Sequence, residues 1–341
     1  MNRPVRVLVV DDSAFARKVL REILGRRTDI EVVDIARDGL EALEKIADLA
    51  PDVVTLDLVM PGLDGVGVLH ALPAVDPPRV VVVSMSDADS ELGVEALQSG
   101  AFDLVHKPTA LATERLYELS DELVAKVLAA AAARVPAAAA HPPRVIDAAP
   151  HSGKREIVVV GASTGGPQAL TRLISALPAN FPIPMAVVLH IPVGYTESLA
   201  RRIDRASHVE VREAAPGLPL CPGRVILARA GIHLKIDRVD GGLSCRLDVS
   251  PLASLHTPSV DALFESAVDQ CADRTIGVVL TGMGSDGLQG ARRVRDRGGV
   301  VLTQSEPSCV VYGMPRSVAE AKLSHAEAEI DGMAALIAAQ L

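Results

Sequence analysis

Short apolar runs alternate with stretches in which apolar residues recur every three to four positions, starting almost at the first residue. Val5 to Val10 has the length and composition of a buried strand, and Ala14 to Gly25 behind it has helical spacing. The pairing recurs as Ile30 to Ala36 with Gly39 to Leu49, as Val53 to Leu56, as Val80 to Val83 with Ser90 to Ser99, and as Leu104 to His106 followed by a long terminal helix. Five strands alternating with helices predict a doubly wound, flavodoxin-like parallel sheet of order 2-1-3-4-5. The pattern returns with Ile157 to Val160, Met185 to Leu189, Val225 to Ala228 and Ile276 to Leu280, which predict a second, mostly parallel α/β unit. Within it, Ile232 to Val249 alternates on both sides of Asp240-Gly241-Gly242 and predicts a hairpin appended to that sheet.

Between the two series lies a stretch dominated by Ala and Pro, including Ala129 to Ala133, Pro136 to Ala140 and Pro142-Pro143. Such a segment can prolong a helix and then run as a semi-rigid linker, but it lacks the large side chains a core needs. The expected organisation is therefore a first domain over residues 1–124, a linker over 125–155 and a second domain over 156–341.

Composition narrows the function. Aromatic residues make up 2% of the chain and Trp is absent, so both cores must be built from aliphatic side chains. No apolar run approaches the ~18–20 residues of a membrane span, and the N-terminus has no signal-peptide pattern, so a cytoplasmic protein without membrane insertion is expected. The four cysteines, Cys221, Cys245, Cys271 and Cys309, form no C-x-x-C pair, which argues against zinc, redox and disulfide-scaffold roles. The net charge of −9 falls wholly on residues 1–150, because residues 151–341 balance 19 basic against 19 acidic side chains. No nucleic-acid footprint is present.

Asp11 and Asp12 directly follow the first strand run, and Asp57 directly follows the third. In a 2-1-3-4-5 sheet these strands flank the topological switch point, so the three carboxylates converge in one crevice. Two such charges ~4 Å apart repel by about 4 kcal/mol at an effective dielectric of ~20, so the cluster calls for a divalent cation or a shared proton. Oxygen donors of this kind suit Mg²⁺, which would take Asp11, Asp12 and Asp57 as ligands. Ser84 ends the fourth strand and Lys107 the fifth, supplying a hydroxyl and an ammonium suited to stabilising a phosphoryl group on Asp57.

The densest signal in the second half is Gly161-Ala162-Ser163-Thr164-Gly165-Gly166-Pro167, between a strand and a helical pattern. It sets Ser163 on a strand-to-helix corner near unsatisfied backbone N–H groups, a favourable place for a nucleophile facing an oxyanion. The spacing G-x-x-x-G-G is not the G-x-G-x-x-G of a dinucleotide turn. His190 ends the next strand, and Asp286 lies in the Gly-rich loop Thr281 to Gly287 after a later one. A hydroxyl, an imidazole and a carboxylate at three strand ends predict a triad in which His190 takes the proton of Ser163 and Asp286 fixes and stabilises the imidazole. The order Ser, His, Asp is not that of the α/β-hydrolases. Backbone N–H groups of Met283 and beside Thr164 are the oxyanion candidates. His208, His233 and His256 are expected to be solvated or core hydrogen-bonding residues, with His256 an alternative base.

The first half, through Val9-Val10-Asp11-Asp12-Ser13, Asp57-x-x-Met60-Pro61-Gly62-x-Asp64-Gly65 and His106-Lys107-Pro108, resembles a two-component receiver. Leu104 stands where receivers carry an aromatic residue, and Met85 where they carry a small one. The second half resembles the protein-glutamate methylesterases of bacterial chemotaxis, through the segments above and Thr196 to Arg202, Pro258 to Phe264 and Tyr312 to Pro315. Thr257 and Arg229-Ala230 depart from that pattern. The resemblance implies phosphorylation of Asp57 by a sensor histidine kinase, and hydrolysis of glutamate methyl esters on the cytoplasmic helices of chemoreceptors, often with deamidation of glutamines. It implies no cofactor in the esterase site.

Overall fold

A computed structural model describes residues 3–73, 75–84, 90–107, 113–133, 155–250 and 256–341, with the backbone alone over 113–119. Met85, Pro108 and residues 134–154 of the Ala/Pro-rich stretch lie outside the described residues. The chain divides into two compact units, Met1–Ala133 and Arg134–Leu341.

The first unit runs β1 (Val5–Val10), α1 (Ala14–Gly25), β2 (Ile30–Ala36), α2 (Gly39–Leu49), β3 (Val53–Leu56), α3 (Gly65–Ala71), β4 (Arg79–Ser84), α4 (Ser90–Gln98), β5 (Asp103–His106) and α5 (Thr113–Ala132). Its sheet has the order β2-β1-β3-β4-β5 with every pair parallel. Helix α3 has no counterpart among the elements read from the sequence. Helix α5 continues through Ala132, so residues 125–132 of the Ala/Pro-rich stretch belong to the first unit. Side-chain caps set where α1, α2 and α3 begin: Ser13, Asp38 and Asp64 each accept a hydrogen bond from a first-turn amide.

The second unit runs β6 (Ile157–Ala162), α6 (Gly166–Ser175), β7 (Met185–Leu189), α7 (Thr196–Ala206), β8 (Glu210–Glu213), β9 (Pro219–Leu220), β10 (Arg224–Leu227), β11 (His233–Val239), β12 (Gly242–Asp248), α8 (Val260–Cys271), β13 (Thr275–Val279), α9 (Leu288–Asp296), β14 (Val300–Gln304), α10 (Met314–Glu320), β15 (Ala326–Ala328) and α11 (Ile330–Ala338). Seven strands form a parallel sheet, β15-β14-β13-β6-β7-β10-β8. The central strand β6 is buried along its whole length, and full burial of one Val or Leu contributes ~1.5–3 kcal/mol.

The expected hairpin forms, with Val239 opposite Gly242, but it does not extend the seven-stranded sheet. Strands β11 and β12 pair with β9 in a separate antiparallel sheet of order β11-β12-β9. The reason is where its apolar face goes. Leu234, Ile236, Leu243 and Cys245 are buried in one cluster with Leu263, Phe264 and Ala267 of α8, and the Ile236 amide donates to Ser266 Oγ at 3.0 Å. The hairpin therefore supports a helix.

At Gly161, near the end of β6, an added Cβ would stand 2.3 Å from Val260 Cγ1 and 2.8 Å from Cγ2. Bulk there pushes directly on the first residue of α8. Gly161→Ala is expected to cost ~1–3 kcal/mol in the stability of the second unit, as overpacked cores do. The denaturant midpoint of that unit's transition measures it, and an unchanged midpoint would contradict this packing.

Candidate functional site

In the first unit the carboxyl ends of β1 and β3 place Asp11, Asp12 and Asp57 together. Each offers a carboxylate oxygen, and these oxygens lie within 4.8 Å of one another. Asp11 and Asp57 are buried and Asp12 is exposed. Lys107 Nζ reaches in from the end of β5, 2.6 Å from Asp11 Oδ2 and 2.9 Å from Asp57 Oδ2. Ser84 is fully buried at the end of β4, and its carbonyl accepts the Lys107 amide at 2.7 Å. Burial pushes the Asp57 carboxyl pKa up; Lys107 and the Leu58 amide oppose it, the Asp11 charge adds to it, and the net shift is upward. For Lys107, burial favours the neutral form, but hydrogen bonds to Asp11 and Asp57 outweigh it and the ammonium is held more firmly than usual. All the receiver residues singled out in the sequence except Met85 and Pro108 are thus described, and the acids and the lysine meet. Three oxygen donors, one of them open to solvent, fit a hard divalent cation.

The second site stands at the carboxyl ends of three adjacent strands, β13, β6 and β7. Ser163 follows β6, and its amide donates to Thr281 O, beyond β13, at 3.0 Å. His190 follows β7, and its amide donates to Ala162 O at 3.0 Å. These two bonds lock the backbones that carry Ser163, His190 and the Asp286 loop against each other. Gly165, with φ +77°, makes the sharp turn that starts α6, and no side chain caps that helix. The turn is closed by backbone instead: the Gly166 amide donates to Ser163 O at 2.7 Å and Pro167 has no amide to satisfy.

His190 Nε2 lies 2.9 Å from Asp286 Oδ2. A carboxylate only accepts, so Nε2 is the donor, and in the neutral imidazole the lone pair is then on Nδ1. Nδ1 is buried and has no hydrogen-bond partner among the described residues. Ser163 is half-buried, and its hydroxyl makes no hydrogen bond among the described residues. The backbone on its other side is Gly282, where a Cβ would come within 2.7 Å of Ser163 Cβ. Met283, half-buried, is the next residue, and Thr164 is buried with its carbonyl accepting Thr281 Oγ1 at 3.0 Å.

The environment of Asp286 is not evident from the sequence. Its Oδ1 accepts from Ser259 Oγ at 3.1 Å, Asp261 N at 3.0 Å and Gly287 N at 3.0 Å, and its Oδ2 accepts Val260 N at 2.8 Å. The carboxylate sits on the N-terminus of α8. Burial pushes its pKa up, but the bond to His190 and the amides of Asp261 and Val260 prevail and hold it at about 2. Behind this cradle, buried His233 accepts the Ser259 amide on Nδ1 at 3.2 Å, and burial lowers its pKa, keeping the ring neutral. His233 is thus a core hydrogen-bonding residue and His208 is exposed, as expected. His256, also exposed, stacks on the His190 ring with centroids 4.1 Å apart. The one sequence signal for this cradle is the Pro258 to Phe264 segment, which carries three of its donors, Ser259, Val260 and Asp261.

Residues 158–337 match the family model described as CheB methylesterase, and residues 7–119 match that of the response regulator receiver domain. The chain is 60% identical to the protein-glutamate methylesterase/protein-glutamine glutaminase 5 of Myxococcus xanthus, over 98% of this chain and 97% of that one. It is 41% identical to the protein-glutamate methylesterase/protein-glutamine glutaminase of Thermotoga maritima, over 94% and 93%. Among solved structures, the Thermotoga maritima CheB methylesterase catalytic domain superposes with a TM-score of 0.54 at 38% identity, covering 55% of this chain and 99% of that domain.

Asp261 provides a test of the cradle's electrostatics. Burial raises its pKa from 3.8 to about 6, the amide of Gly290 opposes this, and the nearby Asp286 charge reinforces it. A carboxyl raised on folding favours the native state at low pH, and that contribution is lost as pH rises from about 4 to about 6. Asp261→Asn keeps an acceptor for Gly290 but cannot ionise. Relative to the parent chain, its thermal midpoint for the second unit should rise across that window and level off above it. A constant difference between pH 4 and 7 would refute this.

Proposed function

Because the chain belongs to the CheB methylesterase family and carries a response regulator receiver domain at its front, we propose that it is a serine hydrolase that demethylates glutamate methyl esters of chemoreceptors under phosphorylation control. The observation that carries the reading is the His190–Asp286 pair at 2.9 Å, whose opposite nitrogen, Nδ1, has no partner among the described residues, at the strand ends that also bear Ser163. A buried imidazole nitrogen without a partner costs ~1–3 kcal/mol. Among the described residues Ser163 Oγ makes no hydrogen bond to Nδ1, which is left to take the nucleophile's proton when the reaction begins.

In this reaction Ser163 Oγ attacks the ester carbonyl as its proton passes to His190 Nδ1. Asp286, ionised far below neutral pH, stabilises the imidazolium that forms. The tetrahedral oxyanion takes hydrogen bonds from the amide of Met283 and those beside Thr164, each worth ~3–4 kcal/mol when aimed at the developing charge. Collapse returns the proton to the methoxide, methanol leaves, and water hydrolyses the glutamyl–Ser163 ester by the same relay. A glutamine amide follows the same path with ammonia as the leaving group, so one constellation serves both reactions.

In the receiver, Asp57 accepts the phosphoryl group from a sensor histidine kinase, and Lys107 and Ser84 bind its oxygens. Asp11, Asp12 and Asp57 would hold Mg²⁺, which when bound neutralises charge on the phosphoryl oxygens. The substrate is the cytoplasmic helices of the receptors. A cytoplasmic setting fits the finding that, among the described residues, no helix is long and apolar enough to cross a membrane. The proposed domains, 1–124 and 156–341, meet in the 125–155 stretch, of which α5 carries the part through Ala132 into the first unit.

Full-length protein incubated with radiomethylated receptor membranes should release methanol, and faster with a small-molecule phosphodonor. Ser163→Ala should abolish release and leave phosphate uptake intact, and Asp57→Asn should abolish uptake and the acceleration. Near-normal turnover by Ser163→Ala would eliminate this nucleophile. Asp286→Asn removes the charge that fixes the His190 tautomer and should lower kcat by ~10⁴-fold. A loss below about tenfold, little more than one hydrogen bond's worth, would show that His190 does not depend on it.

A further inference from the structure

We propose that His256 is a positioning residue for the base: its imidazole, stacked on that of His190, fixes the plane of the His190 ring and so the direction of Nδ1. The proposal rests on the reading of His190 as general base. The two ring centroids are 4.1 Å apart and the planes are inclined by 22°, a close stack for side-chain rings.

The stack supplies a restraint that the triad itself lacks. The bond from Nε2 to Asp286 fixes one end of the imidazole, but rotation about the Cβ–Cγ bond of histidine is soft. Rocking about that axis carries Nδ1 out of line with the serine hydroxyl. No hydrogen bond on Nδ1 opposes it, since that atom has no partner among the described residues. A ring laid on one face of the imidazole blocks the motion without occupying Nδ1. It also covers that face, and the His190 side chain is only 10% exposed.

The next residues of the chain anchor His256 for this task. The Thr257 carbonyl accepts the Gly231 amide at 3.1 Å, and Ser259 donates its hydroxyl to Asp286 at 3.1 Å and caps α8. Within the five residues from His256 to Val260, one segment presents a ring to the base and two donors to the carboxylate that orients it. Base and carboxylate are therefore held in register by the same stretch of backbone. Because His256 is exposed, replacing it leaves the core intact.

The test compares the parent full-length chain with His256→Ala and His256→Phe, with Ser163→Ala as blank. Two readouts are taken: kcat and KM for methanol release from methylated receptor membranes with phosphodonor, and the rate at which a small sulfonyl fluoride inactivates Ser163. His256→Ala should lower kcat by about tenfold with KM nearly unchanged, and slow inactivation by a similar factor, as misalignment of a catalytic group does. His256→Phe, which keeps a ring and cannot titrate, should recover both to within about threefold of the parent. Parent-like kcat in His256→Ala would overturn the proposal, as would a Phe variant no better than Ala. So would a loss confined to the receptor reaction with Ser163 reactivity intact, which would make His256 a receptor contact. If the parent showed no Ser163-dependent methanol release, the methylesterase reading would fall, and the inactivation rates would still decide the role of His256.

Discussion

Five donors converge on Asp286: the Ser259 hydroxyl, the amides of Val260, Asp261 and Gly287, and His190 Nε2. A buried carboxylate without such partners costs several kcal/mol to ionise and takes up a proton instead. Here the charge is retained, with the pKa held at about 2. Much of the second unit serves that outcome. The cradle is the N-terminus of α8; α8 is held from below by the β11–β12 hairpin, and Gly161 on β6 lets Val260 approach closely enough to seat it. Displacing α8 strips donors from Asp286, and the loss passes directly to His190.

Both candidate sites obey one topological rule on different chemistry. In the first sheet the strand order reverses between β1 and β3, and Asp11, Asp12 and Asp57 stand at those two carboxyl ends. In the second, the chain adds β7 on one side of β6 and β13 on the other, so the reversal falls between β6 and β13. Ser163 follows β6 and Asp286 lies beyond β13, flanking that crevice, with His190 one strand over. At such a point the loops diverge to opposite faces and leave the strand ends open. Parallel order accounts for the convergence of residues nearly a hundred positions apart, such as His190 and Asp286.

This is also why so much was legible in the sequence. Strands buried within the sheet read as unbroken Val-rich runs, and those runs alone bound β1 and β3; β2, a half-open edge strand broken by Glu31 and Asp34, is bounded by its remaining apolar residues. The second sheet was read less fully. Strands β8 (Glu-Val-Arg-Glu) and β15 (Ala-Glu-Ala) are its edges, half open to water, and their composition carries no strand signal. Strand β14 is an interior strand with an ordinary apolar run; nothing physical hid it. The hairpin was evident from its alternation, but alternation says that one face is buried and not what buries it. The partners of Asp286 were hidden for a different reason. Val260 and Asp261 reach it through their amides and Ser259 through its place at a helix end, and a backbone amide leaves no trace in side-chain identity.

Asp57 and Asp286 show how the same side chain at equivalent places in two sheets acquires opposite character. Both are buried at the mouth of a parallel sheet, and burial alone would raise both pKa values. For Asp286 burial is outweighed by the bond to His190 and by the amides of Asp261 and Val260, fixed dipoles that cannot leave, and its pKa is held at about 2. Asp57 accepts one amide, from Leu58, and otherwise depends on Lys107, which it shares with Asp11, a like charge that pushes it upward. Its carboxylate is left with higher basicity and fewer fixed bonds, which suits the phosphoryl acceptor proposed for it. A carboxylate that only orients an imidazole needs the reverse, and five converging donors provide it.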